Sequence, residues 1–141
     1  MAAQDALSIA REHYDGYNRR DFARVAELIA ADAAWHNVAT GEMFHGPEGY
    51  LQFINGWSEA MPDSTVQVTN LAAAGEVVVC EFTGRGTHTG PLMTPAGPVP
   101  PTGRTVDVPF CEVLQVRGGK IVGARTYFDS ATMMRQLGLI G

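Results

Sequence analysis

Partway along the chain the spacing of apolar residues changes from that of a helix to that of a strand. Up to residue 61 they recur at helical intervals, as Leu7, Ala10, Tyr14 and Tyr17, then Phe22, Val25, Leu28 and Ile29, then Tyr50, Leu51, Phe53, Ile54, Trp57 and Met61. That spacing lines one face of a helix. From Val66 and Val68 onward, through runs at 77–82, 106–116 and 121–128, they alternate, and each run is bounded by Gly, Pro or Asn. A period of two lines one face of a sheet. Helices first and strands in series afterwards predict an α+β domain, an antiparallel or mixed sheet with three helices gathered on one face.

Local signals refine this outline. A helix over residues 3–17 breaks at Asn18-Arg19-Arg20-Asp21, and Asp21 is placed to cap a second helix running on to Ile29. A short strand at 33–38 leads to the turn Thr40-Gly41. The third helix opens at Gly46-Pro47, where proline at the first helical position loses no hydrogen bond, and stops at Pro62. Its apolar face is too wide for a surface helix, so Phe53 and Trp57 either fill the core or line a cavity. Gly118-Gly119 supplies the positive φ of a tight hairpin. Five of the eight prolines fall between residues 91 and 101, predicting a long stiff loop with His88 at its mouth. A last helix over 130–137 ends at Gly138, with Asp129 as its cap.

With 141 residues, the chain is read as one domain over residues 1–141. A net charge of −5, with Arg19-Arg20 as the only basic cluster, argues against a nucleic-acid partner, because such binding depends on cations that displace counterions. No apolar run reaches the ~20 residues that span a bilayer and no signal-peptide pattern opens the chain, so the expectation is a cytoplasmic protein with no membrane partner. Cys80 and Cys111 sit in apolar strand-like runs without metal-ligand spacing, and they read as inert thiols. His36, His45 and His88 lack paired spacing, so neither a metal nor a cofactor is expected.

Several short segments together resemble a known family. Tyr17-Asn-Arg-Arg-Asp-Phe, Ala31-Asp-Ala-Ala-Trp-His-Asn, Gly46-Pro-Glu-Gly-Tyr, Met61-Pro-Asp, Gly86-Thr-His-Thr-Gly, Pro101-Thr-Gly-Arg, Gly119-Lys-Ile, Tyr127-Phe-Asp and Arg135-Gln-Leu-Gly follow in the order of the SnoaL-like polyketide cyclases. The resemblance implies the cone-shaped fold of the nuclear transport factor 2-like superfamily, with a bent sheet and three helices around a deep cavity, commonly dimerised through sheet faces. Relatives on that fold include ester cyclases, ketosteroid isomerases, epoxide hydrolases, a dehydratase and non-catalytic binding proteins, so the fold alone selects no reaction.

The resemblance also marks two departures. Thr126 stands where cyclases and epoxide hydrolases carry an acid/base aspartate, and Asn37 where ketosteroid isomerases hold their base; neither side chain exchanges a proton near neutral pH. Alternation offers a replacement. If Thr126 faces inward so does Phe128, and across the Gly118-Gly119 hairpin Glu112, between Phe110 and Leu114, shares that face. Desolvation would raise its pKa towards that of a general acid/base. The alternative is that Glu81, Glu112 and Arg85 form a structural ion pair or face solvent. The expected catalytic set is Glu112, His13, Asn37 and Thr126, with Trp35, Phe53, Trp57, Glu81, Phe110 and Phe128 around the substrate. The expected ligand is a small apolar or aromatic molecule bound by a homodimer. The reactions that fit are cyclisation, isomerisation or dehydration of a carbonyl compound, ligand binding without chemistry, or hydrolysis by a water held on Asn37.

Overall fold

The computed structural model describes residues 2–141. In chain order it comprises α1 (Ala2–Arg19), α2 (Phe22–Glu27), β1 (Ile29–Asn37), β2 (Glu42–His45), α3 (Gly46–Ala60), β3 (Thr65–Ala74), β4 (Val77–Thr87), β5 (Leu92–Thr94), β6 (Gly97–Val99), β7 (Thr105–Arg117), β8 (Lys120–Phe128) and α4 (Ser130–Gln136). One six-stranded sheet has the order β2-β1-β8-β7-β4-β3. Register shifts interrupt the β3/β4, β7/β8 and β1/β8 pairings, and such bulges bend strands and increase their twist. The α+β architecture with three N-terminal helices and a short C-terminal one agrees with the sequence pattern.

Of the two sheet types expected the mixed one is found, since β1 runs parallel to β8 while every other neighbouring pair is antiparallel. Other elements differ from the sequence expectation. Ile29 begins β1 instead of ending α2: the Leu28 N–H turns back to Val25, and the Leu28 carbonyl accepts from Ile121 N–H at 2.7 Å, which draws the next residue into the sheet. β2 was not expected. Nor was the β5/β6 hairpin, which gives the proline-rich segment its own ladder. Asp21 and Asp129 do cap α2 and α4, accepting from Arg24 N–H and Thr132 N–H respectively.

Two clamps fix the helices to the sheet. At the end of α1, Asn18 exchanges two bonds with the backbone of Val66, Nδ2 donating at 2.9 Å and Oδ1 accepting at 2.8 Å. Because β3 is a sheet edge, this side chain occupies backbone groups that would otherwise be free to pair with another strand. Arg20 donates to the carbonyls of Tyr17, Pro62 and Ser64, tying α1 to the turn after α3. The second clamp is His88, fully buried, whose backbone bonds Arg104 and Gly103 and whose Nδ1 accepts from Thr102 N–H at 3.2 Å, closing the base of the proline-rich loop.

That loop docks on α3. Thr89 and Gly90 N–H groups both donate to the Ala60 carbonyl, satisfying the end of the helix. A side-chain carbon on residue 90 would overlap the Glu59 carbonyl oxygen. Gly90→Ala is therefore expected to lower stability by ~2–3 kcal/mol, read as a lower urea midpoint.

Candidate active site

The concave face of the sheet, α1 and α3 enclose a cavity of about 80 Å³. Its wall is aromatic because three elements present rings towards one another: Phe53 and Trp57 from α3, Phe82 from β4 and Phe110 from β7. Phe82 and Phe110 lie parallel at 4.9 Å, and Trp57 meets Phe110 edge-on at 5.8 Å. Such pairs keep one arrangement of a wall that would otherwise repack.

One carboxylate sits in this apolar surround. Glu112 is 4 % exposed and accepts two hydrogen bonds, from the Tyr14 hydroxyl to Oε1 at 2.8 Å and from the Thr126 hydroxyl to Oε2 at 2.6 Å. Thr126 in turn accepts from the Trp35 indole N–H at 2.8 Å, which commits its own hydrogen to Glu112. The β7/β8 register sets Thr126 opposite Glu112, and the parallel β1/β8 register sets Trp35 beside Ala124, one turn of the alternation from Thr126. Burial pushes the Glu112 pKa from 4.5 up to about 7, although both hydroxyl donors favour the ionised form and hold it down. The group is thus poised to gain or lose a proton at neutral pH.

His13, next to Tyr14 on α1, lines the same cavity. Its ring stacks on Trp35 at 5.4 Å and its Nε2 meets the Tyr50 hydroxyl at 2.5 Å. Burial pushes its pKa from 6.5 down to about 3. At neutral pH it is therefore an uncharged imidazole, available for hydrogen bonding and not as an imidazolium acid.

The other expected residues divide. Trp35, Phe53, Trp57, Phe110, Glu112 and Thr126 all line the cavity. Thr126 has its hydroxyl turned to the carboxylate, so it orients Glu112. Three of the expected residues, Glu81, Asn37 and Phe128, fall outside the cavity lining. Glu81 lies on the opposite face of β4 from Phe82, exposed, accepting from Asn70 at 3.0 Å; strand alternation excludes it from the cavity. Arg85 pairs with Asp107 instead of with either glutamate. Asn37 is buried at the end of β1, beside Thr126 of β8, but does not line the cavity. Phe128 packs behind the wall, stacked on Phe110 at 4.8 Å, and braces it from the second row. Sequence reasoning missed Tyr14 and Tyr50, counted as apolar helix residues; the signal was a phenol whose oxygen needs a buried partner.

Comparison with known proteins follows the same lines. The family model described as SnoaL-like polyketide cyclase matches residues 8–137. No curated protein matches the chain. Among solved structures, wild-type IdmH, a proposed polyketide cyclase from Streptomyces antibioticus, is 31% identical over 94% of this chain and 98% of that one, with a TM-score of 0.77. A proposed SnoaL-like polyketide cyclase from Jannaschia sp. CCS1 is 22% identical, covering 99% and 96% with a TM-score of 0.81. AclR, a proposed hydroxylase from Streptomyces galilaeus, is 21% identical, covering 99% and 88% with a TM-score of 0.83. The last two likenesses are of fold.

The two shifted groups act on stability with opposite signs. Glu112, raised from 4.5 to about 7, stabilises the fold fully below pH 4.5 and loses that contribution as pH climbs through 7. His13, lowered from 6.5 to about 3, contributes above pH 6.5 and loses it as pH falls towards 3. Glu112→Gln removes only the first dependence. Relative to wild type, the variant should gain about 3 kcal/mol in unfolding free energy between pH 4.5 and pH 8, measured by urea titration at each pH.

Proposed function

The chain belongs to the SnoaL-like polyketide cyclase family, and on that premise we propose that it is a cofactor-free enzyme of secondary metabolism acting on a flat, carbonyl-bearing small molecule. Glu112 is its general base and acid. The carboxylate takes a proton from the carbon next to the carbonyl, and the electron pair of that C–H bond moves onto the carbonyl oxygen as an enolate. The enolate then closes a ring by attacking an electrophilic carbon of the same molecule, takes the proton back at another carbon, or expels hydroxide. In each case Glu112 returns the one proton it removed, to the alkoxide formed on ring closure, to the other carbon, or to the departing hydroxide, which leaves as water.

The observation that carries this reading is a carboxylate poised near pH 7 among aromatic rings, held by Tyr14 and Thr126. A pocket that only binds apolar ligands gains nothing from it. Raising a carboxyl pKa from 4.5 to about 7 costs about 3 kcal/mol of fold stability at alkaline pH, and an isosteric amide would avoid that cost. The hydrolase alternative depended on water held by Asn37, which does not line the cavity. At about 80 Å³ the space is below the roughly 150 Å³ of a cavity that admits benzene. A bicyclic ligand therefore enters by displacing part of the wall. Half-buried Trp57 is the ring free to swing, since the other wall aromatics are buried in the core cluster.

The same reading includes a homodimer formed through the convex face of the sheet. There Val79 opposes Val113 and Cys111 opposes Tyr127, with Val79 and Tyr127 each about two-fifths exposed. Sedimentation equilibrium at micromolar concentration should give two chains for wild type and one for Val79→Lys. A monomeric wild type would exclude this assembly.

Turnover tests the base. With a polyketide-derived diketone as substrate, Glu112→Gln is expected to lower kcat by at least ~100-fold while leaving ligand affinity within a few-fold. Thr126→Val removes one donor to the carboxylate, so the rising limb of its kcat/KM profile should move from near pH 7 to higher pH. Unchanged turnover in Glu112→Gln would refute the proposal.

A further inference from the structure

Of the two ring nitrogens of His13, one is bonded and one is orphaned. Nε2 meets the Tyr50 hydroxyl, whereas Nδ1 is buried without a protein partner, on a side chain that lines the cavity and is itself 4 % exposed. Buried polar groups are as a rule paired, and an orphan on a side chain that lines a cavity marks a place for something that enters it.

The tautomer follows from counting hydrogens. Tyr50 is 1 % exposed and its hydroxyl has His13 as its one partner among the described residues. If Nε2 carried the hydrogen and donated to Tyr50, the phenolic hydrogen would be buried without an acceptor and the Nδ1 lone pair would also be bare. If Tyr50 donates to a bare Nε2, only the Nδ1–H remains unpaired. The second arrangement leaves one unsatisfied group where the first leaves two. Burial holds the Tyr50 pKa well above 10, so the phenol keeps the hydrogen it gives.

We propose that Tyr50 fixes His13 as the Nδ1–H tautomer, and that this N–H is the cavity's donor to a carbonyl or enolate oxygen of the ligand. His13 touches the ligand, whereas Tyr50 is a positioning residue acting through it. The ligand half of this assignment rests on the function proposed above; the tautomer does not. A neutral donor suits the task, because it stabilises developing negative charge on oxygen without surrendering a proton that Glu112 must move. Glu112 at one side and His13 Nδ1–H at another then divide the work between base and oxygen holder, and a ligand must present a C–H and a carbonyl oxygen to the two at once.

Long-range ¹H–¹⁵N correlation of the uniformly labelled wild-type protein at pH 7.5, with His13 assigned by comparison with His13→Gln, reads the tautomer directly. The expected result is a protonated Nδ1 and a bare Nε2. A protonated Nε2 in wild type would overturn the proposal, and no substrate is needed to see it. In Tyr50→Phe the Nε2 partner is gone, and the pattern should shift to the other tautomer or to an exchange average. An unchanged pattern in a folded Tyr50→Phe overturns the positioning role. For the ligand half the probe is 2-cyclohexen-1-one, with binding followed by tryptophan fluorescence. Saturation should move the His13 Nδ1–H resonance downfield; binding that leaves it in place, or no binding at millimolar probe, overturns the oxygen subsite. Failure of Glu112→Gln to lose turnover would sink the proposed reaction while leaving the tautomer result standing.

Discussion

A carboxylate can be kept inside a wall of aromatic rings only if donors reach it from the protein, and here the donors come from distant parts of the chain. Tyr14 is 98 residues from Glu112 in sequence and Thr126 is 14. One bond is supplied by a helix and the other by the neighbouring strand, so the carboxylate is satisfied only when helix layer and sheet are docked. Should α1 shift, Glu112 would lose a donor and its pKa would rise further, since the Tyr14 bond is one of the two effects opposing burial.

Much of the remaining structure can be understood as holding that docking in place. Asn18 and Arg20 lock the end of α1 to β3 and to the turn after α3, close to the helical turn that carries Tyr14 and Tyr17. On the sheet side the aromatic stack needs room, and Gly84 provides it: a side-chain carbon there would come within 2.9 Å of the Phe110 ring. The stack from Phe82 through Phe110 to Phe128 spans β4, β7 and β8 and stiffens the floor on which Glu112 stands.

The part of this arrangement that could be read in the sequence is the part set by local rules. Gly118 and Gly119, both at positive φ, make a two-residue turn, and that turn fixes which residues of β7 and β8 face each other. Glu112 and Thr126 could therefore be paired from spacing alone. The same alternation, followed strictly, puts Glu81 with Thr83 and Arg85 on the outer face; family likeness drew it towards the site and the pleat keeps it out. The parallel pairing of β1 with β8 left no local trace, because the partners are ~90 residues apart and no turn connects them. Tyr14 and Tyr50 followed the helical period and were counted for their rings, while the oxygens that matter to the site obey no period.

The sequence distance between Tyr14 and Glu112 also concerns synthesis. On a ribosome α1 emerges before the strands of the sheet, with Ala6, Ala10, Tyr14 and Tyr17 along one side. Of the strands those residues pack against, β3 and β4 follow first and β7, which carries Glu112, comes last, roughly ten seconds later at typical elongation rates. Until then the nascent chain carries an apolar stripe that the sheet covers only in part, and it is then that chaperones would find this protein.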